Sequence, residues 1–333
     1  METTGKVSLA KRRGPEYLIL SCVGLNAEKT ELSCVSLSNV LYKIISKMLA
    51  NRMKLVLDLI ISDSQSAFIP GRAITDKVII SVEIIHFLKR KRQGKYRVIA
   101  LKIDMCKAYD RIEWSFLQAM MIKLGFDVKW VELIMRCVST VQYNVLREGK
   151  VIGPIIPCRG LRQEDPLSPY LFILCAEGLS SLIRRKKRDG LLPGVKITRG
   201  ALTVSHLFFA DDNFFFFRAN INEASLIKHL LAVYCQAFGQ VVNFNKSSIS
   251  FSANVLDGVI RQVCDTLMVT DTTNHGAYHG LPSYIGRKKK RKSSAIFGIS
   301  SGKDFKGGVR GCSLGLVKRF YKRQWLLICL IML

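Results

Sequence analysis

The chain has 333 residues, with 51 lysines and arginines against 25 aspartates and glutamates, and its formal net charge is +26. Hydrophobic residues make up 49% of it, which is enough for a buried core and excludes a disordered or fibrous protein. The excess of positive charge indicates a polyanionic partner, most often nucleic acid; the alternative is a merely basic, soluble surface.

The positive charge is distributed unevenly along the chain. Residues 31–286 carry 33 basic and 21 acidic side chains, whereas residues 287–333 carry 13 and one. Hydrophobic periodicity also fails near the end of the chain, so we expect 287–333 to be a basic tail produced by a shifted reading frame. Residues 1–37 show no clear period and are interpreted as a non-homologous or degenerate N-terminal segment.

The cysteines and the apolar runs bear on the compartment. The ten cysteines occur singly, without the CxxC spacing of zinc sites, which is typical of reduced thiols in an intracellular protein rather than a secreted one. The terminal run WLLICLIML has nine residues. A membrane-spanning helix needs about 20, so no membrane interaction is expected.

Hydrophobic periodicity predicts helices and strands in a mixed order. An amphipathic helix begins near residue 38, where Ser38 or Asn39 can cap it, and its apolar pairs run from Val40 to Ile60 along one face. The further elements, in chain order, are a helix over 75–91, a strand over 97–104, helices over 114–124 and 128–138, a hairpin over 141–151, a helix over 169–185, strands over 204–209 and 214–217, and a helix over 223–238. Without a βαβ rhythm, this order favours an α+β fold.

Carboxylates stand at the ends of two apolar strands. The stretch HLFFADDNFFFF (206–217) places Asp211 and Asp212 at a hairpin tip, and RVIALKID (97–104) ends on Asp104. Paired aspartates in a turn are ordinary by themselves, but two adjacent strands would bring Asp104 and Asp211 together. Clustered carboxylates need a cation, and Mg²⁺ prefers such oxygen ligands. The pattern predicts metal-dependent phosphoryl transfer by two ions, which would activate a 3′-hydroxyl and stabilise the leaving pyrophosphate.

Five motifs in a fixed order carry a family resemblance. They are QSAFIPGR (65–72), LKIDMCKAYDRIEW (101–114), RGLRQEDPLSPYLFILCAEGLSSLI (159–183), FADD (209–212) and GQVVNFNKS (239–247). Residues 36–287 resemble the reverse transcriptase domain of non-LTR (LINE-type) retrotransposons, most closely the plant kind. The resemblance implies an α+β right-hand polymerase palm with an antiparallel sheet. It also implies partial fingers over 38–98, a palm with a primer-grip region over 99–286, an inserted fingers portion at about 125–165, and a largely missing thumb.

The resemblance implies an RNA-directed DNA polymerase that joins a dNTP to a DNA primer on an RNA template, with Mg²⁺ or Mn²⁺ as cofactor. Asp104, Asp211 and Asp212 would form the catalytic metal site. Tyr109 matches the aromatic residue beneath the incoming sugar, and its alternative is a packed core aromatic. Lys246 matches a lysine that donates a proton to pyrophosphate, and its alternative is a solvated charge.

Further positions match segments that contact the substrates. Arg162 and Gln163 would line the nucleotide and template pocket. Gln65 and Arg72 would contact template or primer, with a surface turn held by an ion pair as the alternative. Gly280 lies in the region that matches the primer grip. No protein partner can be inferred, and the resemblance implies a nuclear or cytoplasmic location.

Some residues depart from the family or have a structural interpretation. Glu164 stands where the family has glycine, whose lack of a side chain allows backbone to approach the substrates closely, so we expect weakened or abolished polymerisation. The N-terminal finger strands are expected to be missing. These departures favour an alternative function, a catalytically inactive remnant with residual nucleic-acid binding. Asp110 is predicted to cap the helix at Trp114, and His206 is predicted to be structural.

Overall fold

The computed structural model describes residues 17–20, 35–36, 40–147, 150–198, 200, 202–210, 212–272, 277–278 and 281–282. The predictions for Asp211, Gly280, the caps Ser38 and Asn39, and the tail 287–333 lie outside these residues. None of the helices within these ranges is long and apolar enough to cross a membrane.

The described chain alternates strands and helices in an α+β order. The elements are β1 (Tyr17–Leu20), β2 (Val35–Ser36), α1 (Val40–Ile60), α2 (Ile74–Arg90), β3 (Val98–Ile103), α3 (Trp114–Lys123), α4 (Val128–Ser139), β4 (Tyr143–Arg147), β5 (Lys150–Ile155), α5 (Ser168–Arg188), β6 (His206–Phe209), β7 (Asp212–Arg218), α6 (Ile221–Phe238), β8 (Ser248–Phe251), α7 (Asp257–Leu267), β9 (Ala277–Tyr278) and β10 (Leu281–Pro282). Each helix and strand predicted from periodicity is confirmed to within a few residues. Strands β1, β2, β8, β9 and β10 and helix α7 are not among the predicted elements.

A four-stranded antiparallel sheet in the order β6-β7-β3-β8 forms the centre of the fold. Side chains alternate across its two faces, as the strand pleat requires. Leu101, Phe215 and Phe217 belong to a large core with α3, α5 and α6, while Ala100 and Phe216 belong to a smaller core with α2. Because both faces are buried, β3 and β7 are almost continuously apolar.

A second sheet, in the order β2-β1-β4-β5, contains the N-terminal strands. Strand β1 pairs in parallel with β4, and Tyr17 lies opposite Tyr143. The N-terminal segment therefore contributes two strands, at 17–20 and 35–36, while the absence of the family's finger strands stays a prediction. No local periodicity signals this pairing, because β1 has only four residues and its parallel partner β4 lies more than a hundred residues further along the chain.

Helix α1 has two apolar sides, of which the outer one lies in solvent. Leu49, Met53 and Leu57 are buried in the large core. The stripe that the periodicity predicts faces outward for most of its length, since Leu41 is 68% exposed and Leu55 is 80% exposed. A hydrophobic period marks an apolar face, but it does not determine which face meets the core when a helix has two.

A glycine lets the segment 239–247 run close beside the start of α3. Gly239 ends α6 with a φ of 79°, and a Cβ atom there would collide with the Arg111 carbonyl oxygen. The Glu113 amide donates to the Phe238 carbonyl in the same crossing. Both the left-handed backbone and the close approach therefore require glycine.

We predict that Gly239→Ala destabilises the fold by about 2 kcal/mol or more, because the residue must leave the left-handed region and move Arg111. Gly258→Ala in α7 is the matched control, since a Cβ there meets nothing within 4 Å. It should leave stability unchanged or raise it by about 0.5–1 kcal/mol. Urea unfolding measures both variants; equal midpoints would contradict the assigned role of Gly239.

Candidate catalytic site

The register of β3 with β7 places carboxylates at one end of the central sheet. Ile103 pairs with Asn213, so the next position sets Asp104 beside Asp212. Phe209 pairs with Asp212 at the end of the β6–β7 hairpin, and Ala210 follows β6 in the short connection. Ala210 has a φ of 51°, the left-handed conformation that such short loops require. Asp104 and Asp212 therefore lie at the same end of the central sheet, which we call the carboxylate edge. Asp211 precedes Asp212 in sequence.

Lys102 is a functional candidate that sequence reasoning missed. Its Nζ lies 3.3 Å from Asp212 Oδ1, and both side chains are partly buried. Two positions separate Lys102 from Asp104, so the strand pleat directs them to the same face. A charged residue within the apolar strand VIALKI was the available signal. The ion pair offsets part of the repulsion between neighbouring carboxylates.

The segment that contains Lys246 is bound along the strand end that carries Asp104. The Asn243 amide donates to the Asp104 carbonyl at 2.8 Å, and the Asp104 amide donates to Ser247 Oγ at 3.2 Å. Lys246 is exposed and precedes Ser247 by one residue. These hydrogen bonds bring the lysine's segment to the carboxylates, although its predicted contact with pyrophosphate stays a prediction.

Tyr109, which follows Asp104 by five residues, packs against α5. Its ring stacks on Phe172 with centroids 4.9 Å apart and an interplanar angle of 15°. The side chain is half-buried and contacts the large core. Part of the ring therefore packs on α5 and part is accessible to solvent. This arrangement is compatible with a packed core aromatic and with a ring that contacts a sugar. Its role beneath an incoming sugar stays a prediction.

The loop 162–165 has two buried ends and an exposed tip. The Arg162 guanidinium lies 3.8 Å from the centroid of the Tyr42 ring, and Arg162 Nη2 donates to the Cys137 carbonyl at 3.1 Å. The Tyr42 hydroxyl donates to Asp165 Oδ2 at 2.6 Å. Burial, followed by the nearby Asp165 charge, raises the pKa of Tyr42 far above its ordinary value. Arg162 is thus directed into the protein and held between α1 and α4.

Gln163 and Glu164 form the exposed tip of this loop. Gln163 Nε2 donates to Asp110 Oδ1 at 3.3 Å. The predicted capping role of Asp110 is wrong, because Glu113 is the N-cap residue of α3 and Asp110 contacts the tip instead. The Glu164 backbone has a φ of 64°. This left-handed conformation is the one for which glycine, the family's residue here, is suited.

Gln65 and Arg72 hold the loop between α1 and α2 against β6. Gln65 is buried, and its Oε1 accepts from the backbone amides of Ser66 and Ala67 at 2.9 Å. The Arg72 guanidinium binds Asp58 Oδ1 at 3.1 Å and several loop carbonyl oxygens. Arg72 therefore forms an ion pair in a turn, as in the interpretation in which its role is structural. Contact of either residue with template or primer stays a prediction.

A buried polar chain joins this loop to the strand that leads to the aspartates. Ser62 Oγ donates to Glu177 Oε2 at 2.9 Å and lies 2.8 Å from Ser180 Oγ. Ser180 Oγ lies 2.8 Å from His206 Nε2, and Ser205 Oγ lies 3.0 Å from His206 Nδ1. Burial, followed by neighbouring cations, lowers the pKa of His206 to about 3. Burial also raises the pKa of Glu177 despite its ion pair with Arg184. The structural interpretation of His206 agrees with this geometry.

The described carboxylates suit a hard divalent cation in donor chemistry. Asp104 and Asp212 lie at opposing register positions, and their carboxylate oxygens are of the type that such a cation prefers. Within the described ranges, which omit Asp211, no group of three or more potential ligands is arranged to hold a metal ion. The fold and this carboxylate edge define a palm of the nucleic-acid polymerase type.

Comparison with known proteins gives the family. The family described as "Reverse transcriptase (RNA-dependent DNA polymerase)" matches residues 27–290, and the chain belongs to it. Polymerases of this family act on nucleic acid and generally use divalent metal ions. The sequence prediction of a reverse transcriptase palm is confirmed.

The curated relatives are proteins of mobile elements and a mitochondrial protein. The chain is 28% identical over 217 residues to the Transposon TX1 149 kDa protein of Xenopus laevis, covering 64% of this chain and 16% of that protein. It is 29% identical to a Pol polyprotein of the R2 retrotransposable element of Popillia japonica, over 52% of this chain and 27% of that protein. An uncharacterised mitochondrial protein of Arabidopsis thaliana is 57% identical over 64 residues, which are 19% of this chain and 52% of that protein. The chain thus spans between about a sixth and a half of these relatives.

Solved structures with a similar arrangement include the apo telomerase of Candida tropicalis truncated from its C-terminal domain. The TM-score is 0.46 at 14% identity, over 66% of this chain and 47% of that one. An RNA-dependent RNA polymerase of BmCPV at its elongation state has a TM-score of 0.44 at 12% identity, over 65% and 19% of the two chains.

We predict that His206→Gln weakens the acid sensitivity of the fold. The folded-state pKa lies below the ordinary value of 6.5, so the unfolded chain binds more protons between pH 6.5 and about 3. The stability contributed by neutral His206 is complete above pH 6.5 and is lost as the pH falls towards 3, with a slope of up to about 1.4 kcal/mol per pH unit. Urea unfolding at several pH values measures this slope. The exposed His229→Gln is the control, and identical slopes in the two variants would contradict the prediction.

We predict that Glu164→Gly preserves or raises stability by up to about 1 kcal/mol, because relief of the left-handed backbone offsets the entropy of glycine. Gln163→Gly is the matched control at the neighbouring residue, which has no positive φ. It should lower stability by about 0.5–1 kcal/mol. Thermal unfolding of the two variants checks the opposite signs; a larger loss for Glu164→Gly than for Gln163→Gly would be inconsistent with the strained backbone.

Proposed function

We propose that this domain is an RNA-directed DNA polymerase of a non-LTR retrotransposon, which joins a dNTP to the 3′-hydroxyl of a DNA primer on an RNA template. The β3–β7 register carries the proposal, because Asp104 follows the pair of Ile103 with Asn213 and so lies beside Asp212, which Asp211 precedes in sequence. The chain spans only part of its curated relatives, so the activity of a whole protein is included in the proposal. We also propose that it acts in the nucleus or cytoplasm, where its templates are found.

Asp104 and Asp211 would hold Mg²⁺ or Mn²⁺, with Asp212 completing the acidic edge. Such ions supply activation of the primer hydroxyl and stabilisation of the leaving pyrophosphate. Lys102 would orient the Asp212 carboxylate through their ion pair. The segment fixed by Asn243 and Ser247 keeps Lys246 near the same edge, where its ammonium can donate a proton to pyrophosphate.

The remaining predicted residues would position the substrates. The exposed part of the Tyr109 ring would lie beneath the sugar and exclude a 2′-hydroxyl. Its stacking on Phe172 would hold the ring in that position. Gln163 stands at an exposed tip, from which it can reach a nucleotide or a template base. Arg162 supports that tip from inside the protein, through its contacts with Tyr42 and Cys137.

One observation favours a second candidate, the inactive remnant that binds nucleic acid without extending a primer. Glu164 is exposed at the same tip as Gln163 and adds a carboxylate where the family has glycine. A negative side chain beside the substrates would repel their phosphates. The palm would remain folded in either case, because Glu164 lies outside both hydrophobic cores.

Primer extension on an RNA template with Mg²⁺ or Mn²⁺ discriminates the two candidates. We predict slow extension by the natural chain and a rate about 10-fold higher for Glu164→Gly, which corresponds to a barrier lower by about 1.4 kcal/mol. Glu164→Gln separates the charge from the backbone, since it removes the carboxylate and leaves a side chain in the left-handed region.

Asp104→Asn is the negative control and should abolish extension in every background. Extension by Glu164→Gly that disappears in the double variant supports the polymerase. No extension by Glu164→Gly, in a preparation that unfolds cooperatively, would establish the remnant. Equal rates for Glu164→Gly and the natural chain would show that Glu164 is not the cause of low activity.

A further inference from the structure

The end of the central sheet opposite the carboxylates is strongly basic. The loop that enters β3 at Val98 lies at this end, as does Arg218, which pairs with Val98. Strand β3 has six residues, and at about 3.3 Å per residue the two ends of the sheet lie about 20 Å apart. Residues 89–97 contain six basic residues and no acidic one, and residues 184–196 contain six basic residues and one acidic one.

Tyr96 joins the two basic stretches into one surface, which we call the distal basic surface (89–97 and 184–196). The Tyr96 hydroxyl donates to the Gly194 carbonyl at 3.0 Å. Lys91 Nζ lies 5.6 Å from the centroid of the Tyr96 ring. Tyr96 is 36% exposed, so part of its ring is accessible to solvent on this basic surface.

The cations of this surface lie close enough to affect one another. Burial, followed by the charge of Lys196, lowers the pKa of Lys187. Acidic partners compensate part of the charge, since Arg184 pairs with Glu177 and Lys186 pairs with Asp189 at 3.6 Å. Several further cations of the two stretches are exposed, and Arg92, Lys95 and Lys196 are among them. Crowded cations of like charge destabilise the surface unless an anion approaches it.

We propose that the distal basic surface binds a single-stranded nucleic-acid segment outside the catalytic site. Phosphates would lie on the exposed cations, and an unpaired base would stack on the open face of Tyr96. A single strand presents both a charged backbone and unstacked bases, and aromatic rings between cations match that combination. The proposal does not depend on catalysis, since the surface lies at the other end of β3 from Asp104.

Fluorescence anisotropy with a labelled single-stranded oligoribonucleotide, titrated over a range of salt concentrations, tests the proposal on the full chain. The triple variant Arg92→Gln/Lys95→Gln/Lys196→Gln should bind about 10-fold more weakly at moderate salt. The magnitude of its slope of log K against log salt should fall by about 2, or roughly 0.7 for each phosphate of a single strand that is no longer neutralised. These side chains are exposed, so the fold should persist, which the thermal unfolding midpoint checks.

A matched control removes the same charge from another layer of the fold. Lys123→Gln/Lys129→Gln/Arg136→Gln changes three exposed residues of α3 and α4, and its affinity should stay within about 3-fold of the natural chain. Equal reductions in affinity in the two triple variants would mean that only net charge matters and would overturn the proposal.

A second measurement isolates the aromatic ring. Tyr96→Phe keeps the stacking face and should bind as the natural chain does, whereas Tyr96→Leu should bind about 5-fold more weakly. Equal affinity for Leu and Phe would contradict a stacked base. Loss of binding to phosphatidylserine vesicles in the first triple variant, with RNA binding unchanged, would assign the surface to membranes and reject the proposal.

Discussion

The antiparallel register between β3 and β7 is the constraint on which the site depends. Side chains alternate along a strand, so a shift of β7 by one residue would turn its side chains to the opposite faces of the sheet. The run of four phenylalanines fills the cores on both faces and would do so in either register, so it gives the sheet its burial but does not select the register. The polar residues at the strand end distinguish the two registers, since the observed one brings Asp212 to Lys102 as an ion pair. Apolar packing buries the sheet, and the polar end sets the position of the carboxylates.

The polar interior extends this constraint to the loop that precedes α2. Phe208 exchanges backbone hydrogen bonds with Ser64 and Ser66, so the loop is added to the edge strand of the palm sheet. Ser62, Ser180 and His206 continue the connection through side chains, with Glu177 at its other end. Buried polar chains of this kind are costly when one member is missing, which makes them specific for a single arrangement. The loop between α1 and α2 is therefore attached to the sheet by polar contacts, whereas the helices α3, α5 and α6 pack on the sheet by apolar ones.

Sequence reasoning located most of the elements and the carboxylate strands, but not the contacts between distant segments. Period and chain order are local properties, so they predicted β3, α5 and the 206–217 hairpin to within a few residues. Strand β8 is a four-residue segment without a strong alternation, and β1 depends on a partner beyond its own neighbourhood. The outward stripe of α1 and the inward direction of Arg162 depend on tertiary packing, which no periodicity encodes. Asp110 failed as a cap because the helix begins too far along the chain, at Trp114.

The loop 162–165 shows why family membership and activity are separate questions for this chain. Its two ends are held by Tyr42, which packs on Arg162 and donates to Asp165, so the tip must bridge a fixed gap. A residue with a positive φ lets the backbone connect the two fixed ends. Glu164 adopts this conformation because the contacts of Arg162 and Asp165 outweigh the preference of a non-glycine residue for a negative φ. The fold therefore tolerates the substitution at a local cost of about 1 kcal/mol, which the rest of the domain can absorb. Glu164 is exposed at the tip, so its carboxylate faces solvent, and its effect on polymerisation is a separate quantity from its effect on folding. Stability alone therefore says little about which of the two proposed functions the domain has.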